Sequence, residues 1–367
     1  MSIFTTIGLM SGTSMDGIDL AVLHTDGIDR VEFGPSLFQP YDANFRRVLA
    51  DALEDAKAIR DRNDRPGNLA TVEREITERH AEAVRSLLGN IYERPQLIGF
   101  HGQTILHRPE QGLTVQLGDG PLLARLTNLP VVYDMRANDM AHGGQGAPLV
   151  PAYHAALARS KAAEWQDRFP VVFVNIGGIS NITYVTANGD PIAFDTGPGN
   201  ALIDQWVARE AGIPFDDGGR IASEGQIDEA AVSLYLDNPF FARTGPKSLD
   251  RLDFTLEPLG NLELSDGART LAAVSARSIL KAVDHMPEPP KLWVICGGGR
   301  KNPVIVEDLK RGAERVILAE DAGWNGDFTE AEAWAYLAVR AHKGLPLTYP
   351  TTTGCRQPVT GGILAEP

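Results

Sequence analysis

Apolar positions in this chain fall in short β-branched and aromatic runs broken by clusters of small residues, and in several windows of helical spacing. Residues 171–185 read Val-Val-Phe-Val-Asn-Ile-Gly-Gly-Ile-Ser-Asn-Ile-Thr-Tyr-Val. Two β-branched and aromatic runs joined across Gly177 and Gly178 predict a β-hairpin whose turn lets another group approach the backbone closely. A short apolar strand then ends at Asp195 and enters the tight turn Thr196, Gly197, Pro198 and Gly199. Residues 2–23 repeat the plan: an apolar run, the small-residue turn Ser11, Gly12, Thr13, Ser14, Met15, Asp16 and Gly17, and a second apolar run. The repeat predicts an internal duplication of one α/β unit, with two ordinary hairpins as the plain alternative.

Residues 44–88 are helical in spacing, with Phe45, Val48, Leu49 and Leu53 on one face and Leu69, Val72, Ile76 and Val84 on another, separated by Arg65, Pro66 and Gly67. Residues 97–100 predict a buried strand that ends at His101, Gly102, Gln103 and Thr104, and residues 129–135 another strand with Arg136 just past its end. Residues 143–148 predict a loop acting as a hinge between halves, before a helix from about Val150. Asn200 is placed as the cap of a helix over 201–211 closed by Gly212, and residues 267–283 are helical. A strand over 291–296 runs into Gly297, Gly298 and Gly299, with Asn302 capping a helix that starts at Pro303. Residues 329–340 predict a helix in which Thr329 and Glu332 have capping-box spacing. The Gly-rich segment 216–253 admits two readings, a mobile lid or a surface excursion.

Composition narrows the function classes. A length of 367 residues suits two domains, and a net charge of -14 with no dense Lys/Arg patch argues against a nucleic-acid surface. An anionic ligand must then be held by backbone amides, a few local cations or a metal. Cys296 and Cys355 are too few for a disulfide framework, which points to a reducing cytosol. Thr5, Thr6 and Gly8 interrupt any signal-peptide core, and no run approaches the roughly 20 apolar residues of a membrane span.

The candidate chemistry sits at the turns. In the dinucleotide fingerprint and the phosphate loop, the glycines open a helix, whereas here they open a second strand, and no Gly-Lys-Ser or Gly-Lys-Thr follows. Phosphate held between two β-hairpins facing across a cleft is the pattern that remains. Gln103 and Thr104 offer hydrogen bonds to a polar ligand, and His101 is either a structural histidine or a base. Glu330 at a helix start either faces a ligand or complements the helix dipole.

Three Gly-rich turns in two duplicated halves resemble the actin, Hsp70 and sugar-kinase superfamily. The strings beginning at Met10, His101, Gly143, Asn175, Asp195 and Cys296, in that order along the chain, resemble the anhydro-N-acetylmuramic acid kinase family. The resemblance implies two ribonuclease-H-like, actin-type α/β domains flanking a nucleotide- and sugar-binding cleft, residues 1–138 with 350–367 and residues 139–349. It also implies a cytoplasmic homodimer that uses ATP and Mg²⁺ in recycling cell-wall sugar. ATP is expected at Ser11, Gly12, Thr13, Ser14, Met15, Asp16, Gly17, Ile18 and Asp19, at Asn175, Gly177 and Gly178, and at Gly297, Gly298, Gly299 and Asn302. The sugar falls to Gln103, Thr104, Arg136, Gly197 and Glu330, catalysis to Asp195, and the metal to Asp16. After Lys247 and Ser248 the family usually continues Thr-Gly-Arg-Glu, whereas this chain has Leu249, Asp250, Arg251 and Leu252, so Arg251 is given no phosphate contact. Another small-molecule sugar kinase of the same superfamily is the alternative.

Overall fold

The computed structural model describes residues 2–12, 14–249 and 253–367, so Thr13 and Arg251 lie outside the described residues. The chain forms two compact units, Met1–Lys161 with Phe328–Pro367, and Ala162–Asp327. In the first unit β1 (Phe4–Ser11), β2 (Gly17–Thr25) and β3 (Val31–Pro40) form an antiparallel meander. The next strand, β4 (Leu97–Arg108), lies parallel to β1; β5 (Leu113–Leu117) pairs antiparallel with its far half and β6 (Val131–Tyr133) parallel with its near half. In the second unit β7 (Val171–Ile176), β8 (Ile179–Val185) and β9 (Ile192–Pro198) form the same meander, with β10 (Leu292–Cys296) parallel to β7 and β11 (Val316–Leu318) parallel to β10. The last strand, β12 (Ile363–Ala365), adds an antiparallel edge beside β6. The orders β3-β2-β1-β4-β6 and β9-β8-β7-β10-β11 match strand for strand in direction, which is the duplication read from the two turns.

Helices cover the sheets where their apolar stripes require it. In α1 (Ala43–Ala56) the buried residues Phe45, Leu49, Ala52 and Ala56 recur every three or four positions, and α2 (Leu69–Leu88) buries Leu69, Val72, Ile76 and Val84. The first unit continues with α3 (Gly120–Thr127), α4 (Ala137–Ala141) and α5 (Pro151–Ser160). The second carries α6 (Ala201–Ala211), α7 (Arg220–Ser223), α8 (Glu229–Leu236), α9 (Leu264–Lys281) and α10 (Pro303–Gly312). The chain then returns to the first unit as α11 (Thr329–His342) and α12 (Pro350–Thr353). Gly8 and Gly99 let α11 lie directly on the first sheet: a Cβ at Gly8 would come within 2.5 Å of Ala335 N, and one at Gly99 within 3.0 Å of Ala338 Cβ. This packing fixes the first turns of α11, and Glu330 with them, against β1 and the near half of β4.

Several expectations change, among them that the strand carrying Asp195 ends there: β9 runs on through Pro198. The units divide near residues 161 and 327 rather than 138 and 349, because α5 and α11 belong to one core: Tyr153 Oη donates to Glu332 Oε2 at 2.9 Å. That bond removes the capping box as well, since Phe328 is the N-cap and buried Glu332 faces α5. The expected hinge 143–148 lies inside the first unit, where the buried Asp139 accepts from Gly146 N at 2.7 Å and from the hydroxyls of Thr348 and Thr353 at 2.6 and 2.7 Å. Asn200 makes no side-chain cap and donates to Ile176 O at 3.3 Å instead. Finally, the described part of segment 216–253 up to Leu249 is no surface excursion: it holds α7 and α8 and sends Val232, Tyr235, Phe240 and Phe241 into the second core.

Candidate functional site

In the first unit the turn between β1 and β2 is braced from below. Ser11 Oγ donates to Gln103 Oε1 at 2.6 Å and lies 3.0 Å from Tyr41 Oη, while Gln103 Nε2 donates to Gly12 O at 2.9 Å. The strand β4 runs past Phe100 to Arg108, so Gln103 sits mid-strand, 1% exposed, with both ends of its amide spent on the turn. Met15 takes a positive φ of 53° and its N–H returns to Gly12 O at 3.1 Å, which closes the turn. Asp16 is exposed at the tip, where one carboxylate oxygen accepts from Ser14 Oγ at 2.7 Å. The side chain of Ile18 is buried in the core, so only its backbone is available to a ligand, and Asp19 pairs with Met10 in the β1–β2 ladder.

A second cluster in this unit surrounds Arg136. Its NH1 donates to Gly146 O at 2.8 Å and its NH2 to His101 Nε2 at 3.1 Å, and the guanidinium lies 5.3 Å from the Trp334 ring centroid. Burial pulls Arg136 down to about 10, with Glu330 opposing that shift. Burial also holds His101 well below the usual histidine range, helped by Arg136, so the ring is neutral, accepts at Nε2 and carries its proton on Nδ1. It therefore orients Arg136 and is not poised as a base. Thr104 Oγ1 accepts from Gln116 Nε2 at 3.2 Å and lies 3.4 Å from His101 Nε2, which joins Thr104 to the cluster. The Glu330 side chain stays solvent-accessible; desolvation raises its carboxyl and Arg136 works against that.

In the second unit the β7–β8 turn and the glycine triplet meet. Gly199 N donates to Gly178 O at 2.9 Å and Asn200 N to Gly177 O at 2.8 Å, so the turn after β9 clasps the hairpin turn. A Cβ on Gly199 would overlap Gly177 O, whereas one on Gly178 would rest 3.5 Å from Ala201 Cβ, so the 178 position is open. Gly297 and Gly299 pack on Asn175 and Ile176 at the end of β7, and Gly298 faces open space. Asn302 caps α10 through Val304 N at 3.0 Å, as its position before Pro303 predicts. Sequence reasoning missed Gly219, at φ 65°, whose Cα lies against the Asn302 side chain; its signal was the Gly218–Gly219 pair in a segment read as irregular.

Asp195 lies on β9, with its N–H donating to Lys247 O at 2.9 Å and its Oδ2 accepting from Leu249 N at 2.8 Å. Burial raises its carboxyl to about 6, with the Leu249 N–H opposing. One oxygen is held, the other has no partner among the described residues, and the group is mostly ionised at pH 7, which suits a general base. Gly197, at φ 152°, backs against Ser278, whose Cβ a side chain would approach to 2.6 Å. Among the described residues no three His, Cys, Asp or Glu groups converge on a metal position. The exposed Asp16 carboxylate still fits Mg²⁺, a cation that keeps most of its water or phosphate ligands and needs few from protein.

A duplicated meander extended by two parallel strands, with a glycine-bearing turn in each copy, defines a two-unit fold of the actin-type ATPase and sugar-kinase class. Within that class the chain belongs to the anhydro-N-acetylmuramic acid kinase family, whose sequence model matches residues 4–366. It is 56% identical to the anhydro-N-acetylmuramic acid kinase of Agrobacterium fabrum, over 99% of this chain and 98% of that one. Identity to the protein of the same name from Rhizobium etli is 56%, over 99% of both chains, and to that from Brucella canis 55%, over 98% of both. Among solved structures it is similar to a ROK family glucokinase from Streptomyces griseus, at 13% identity and a TM-score of 0.38, over 91% of this chain and 99% of that one.

Proposed function

We propose that this chain uses ATP to open the 1,6-anhydro ring of 1,6-anhydro-N-acetylmuramic acid and phosphorylates O6, giving N-acetylmuramate 6-phosphate for cell-wall recycling. The observation that carries the reading is Asp195, an ionisable carboxylate with one oxygen fixed by a backbone N–H and the other without a partner among the described residues, two positions before Gly197 in β9. Asp195 takes a proton from water as that water bonds to the anomeric carbon. The bond from that carbon to O6 breaks, and O6 bonds to the γ-phosphorus as ADP leaves. One carboxylate thus serves both bond changes, while backbone amides supply the charge neutralisation that phosphoryl transfer requires.

The turns of Ser11–Asp19 and Asn175–Gly178 take the phosphates, and Gly297, Gly298, Gly299 and Asn302 take the nucleoside. Mg²⁺ at Asp16 would offset the developing phosphate charge. Thr104, Arg136, Gly197 and Glu330 hold the sugar, and Gln103 serves them from beneath by fixing the first turn. The family membership supports the substrate assignment. No helix among the described residues is long and apolar enough to cross a membrane, which accords with a cytoplasmic site of action, and the enzyme is read as a homodimer. A panel of sugars tests the reading by ADP release: only the anhydro amino sugar should consume ATP. Equal turnover of an ordinary hexose would favour a general sugar kinase of the same class.

A further inference from the structure

The segment 247–249 does more than cap the exposed edge of β9. It grips Asp195 twice, at the main chain through Lys247 O and at the carboxylate through Leu249 N, so its position sets the direction in which the free carboxylate oxygen points. Each end of the grip is anchored in the second core by a different device. Leu249 is buried by its side chain. Lys247 is anchored by its ammonium, which is 4.6 Å from the Phe240 ring centroid and 5.5 Å from that of Phe194, and donates to Phe240 O at 3.4 Å.

A lysine only 8% exposed is costly to bury, yet among the described residues no carboxylate pairs with it. The charges that face it, Arg243 and Lys281, are both positive and, with burial, pull its ammonium down to about 8. Two aromatic faces and one carbonyl are what hold it. Phe194 precedes Asp195 in β9 and Phe240 lies on the far side, so the ammonium ties the strand that carries the carboxylate to the segment that orients it. The edge of the Phe194 ring is covered by His285, which bonds to Phe241 O at 2.7 Å and does not touch Asp195.

We propose that Lys247 is a positioning residue for Asp195: seated between Phe194 and Phe240, it locks the 247–249 segment so that the Leu249 N–H stays on one carboxylate oxygen and the other is aimed at water. The proposal rests on the reading of Asp195 as the general base. Loosening the segment removes the bond that favours the ionised carboxylate, so the Asp195 titration should move upward, the direction in which burial already pushes it.

The test uses the full chain with Lys247→Met, which keeps an apolar stem in the aromatic box, and Lys247→Arg, which restores a cation. Carboxyl ¹³C NMR, with the Asp195 signal assigned through Asp195→Asn, reads the titration without turnover. In Lys247→Met the midpoint should rise by about one unit, to about 7, so that kcat should fall about twofold at pH 7 and about fivefold at pH 6 as the ionised fraction drops. The KM for ATP should stay within about twofold, and Lys247→Arg should recover most of the loss. If Lys247→Met fails to fold, Phe240→Leu, which removes one aromatic face, should shift the midpoint the same way by less. An unmoved midpoint in the folded variant overturns the lock. Turnover retained by Asp195→Asn overturns instead the general-base reading beneath it, so the two failures are separate.

Discussion

At the scale of single residues, Asp195 works against the stability of its own unit. Its folded carboxyl titrates near 6, above the ordinary value of 3.8, so the native state disfavours the charged form. The stability associated with it is therefore full below about pH 4 and lost as the pH rises through 6. Asp195→Asn should raise stability at pH 7 by roughly 2 kcal/mol and leave it unchanged near pH 4, as thermal melts at the two pH values will show. The same substitution should cost about 10² to 10⁴ in turnover. In the wild type, kcat/KM should fall on the acid side with a midpoint near 6; a flat profile down to pH 5 would separate the carboxylate from catalysis.

At the scale of elements, the glycines divide into those the fold needs and those a ligand needs. Gly199 has Gly177 O where its Cβ would go, whereas Gly178 has only an ordinary contact with Ala201. Gly199→Ala should lower thermal stability by about 2 kcal/mol or more. Gly178→Val should change stability by less than about 1 kcal/mol and weaken ATP binding at least about tenfold, read by calorimetry. A reversed pattern would make 178 the structural position. The bond between α5 and α11 gives a further test. Burial raises the Glu332 carboxyl from 4.5 to about 7 despite the Tyr153 hydroxyl, so stability is lost as the pH rises through 7. Glu332→Gln should be more stable than wild type at pH 8, by about 2 to 3 kcal/mol, and equal to it below pH 5. Both hairpins, the strand over 292–296 and the Asn302 cap were legible in the sequence, because β-branched and aromatic runs and Gly/Pro punctuation are local signals. The roles of Gln103 and Glu332 were not, because each depends on a partner remote in the chain, Ser11 and Tyr153. The length of β4 past Phe100 was hidden for the same reason: β5 holds its far half, and the polar run from His101 to Thr104 reads alone as a strand end.

At the scale of the whole molecule, a chain of net charge -14 is asked to bind polyphosphate. It does so on this account with backbone turns rather than a basic surface, and each half supplies one copy of the turn. Duplication gives the fold two such turns, and the proposed base, Asp195, lies within β9 of the second half, two positions before Gly197. In the proposed reaction, water bonds to carbon while the sugar's own O6 bonds to phosphorus. Running the wild-type reaction in ¹⁸O-water and locating the label by mass spectrometry tests this most directly. One ¹⁸O is expected at the anomeric carbon of the product and none in the transferred phosphoryl group. Label in the phosphoryl group, or in free phosphate released without sugar turnover, would mean that water attacks phosphorus and would contradict it.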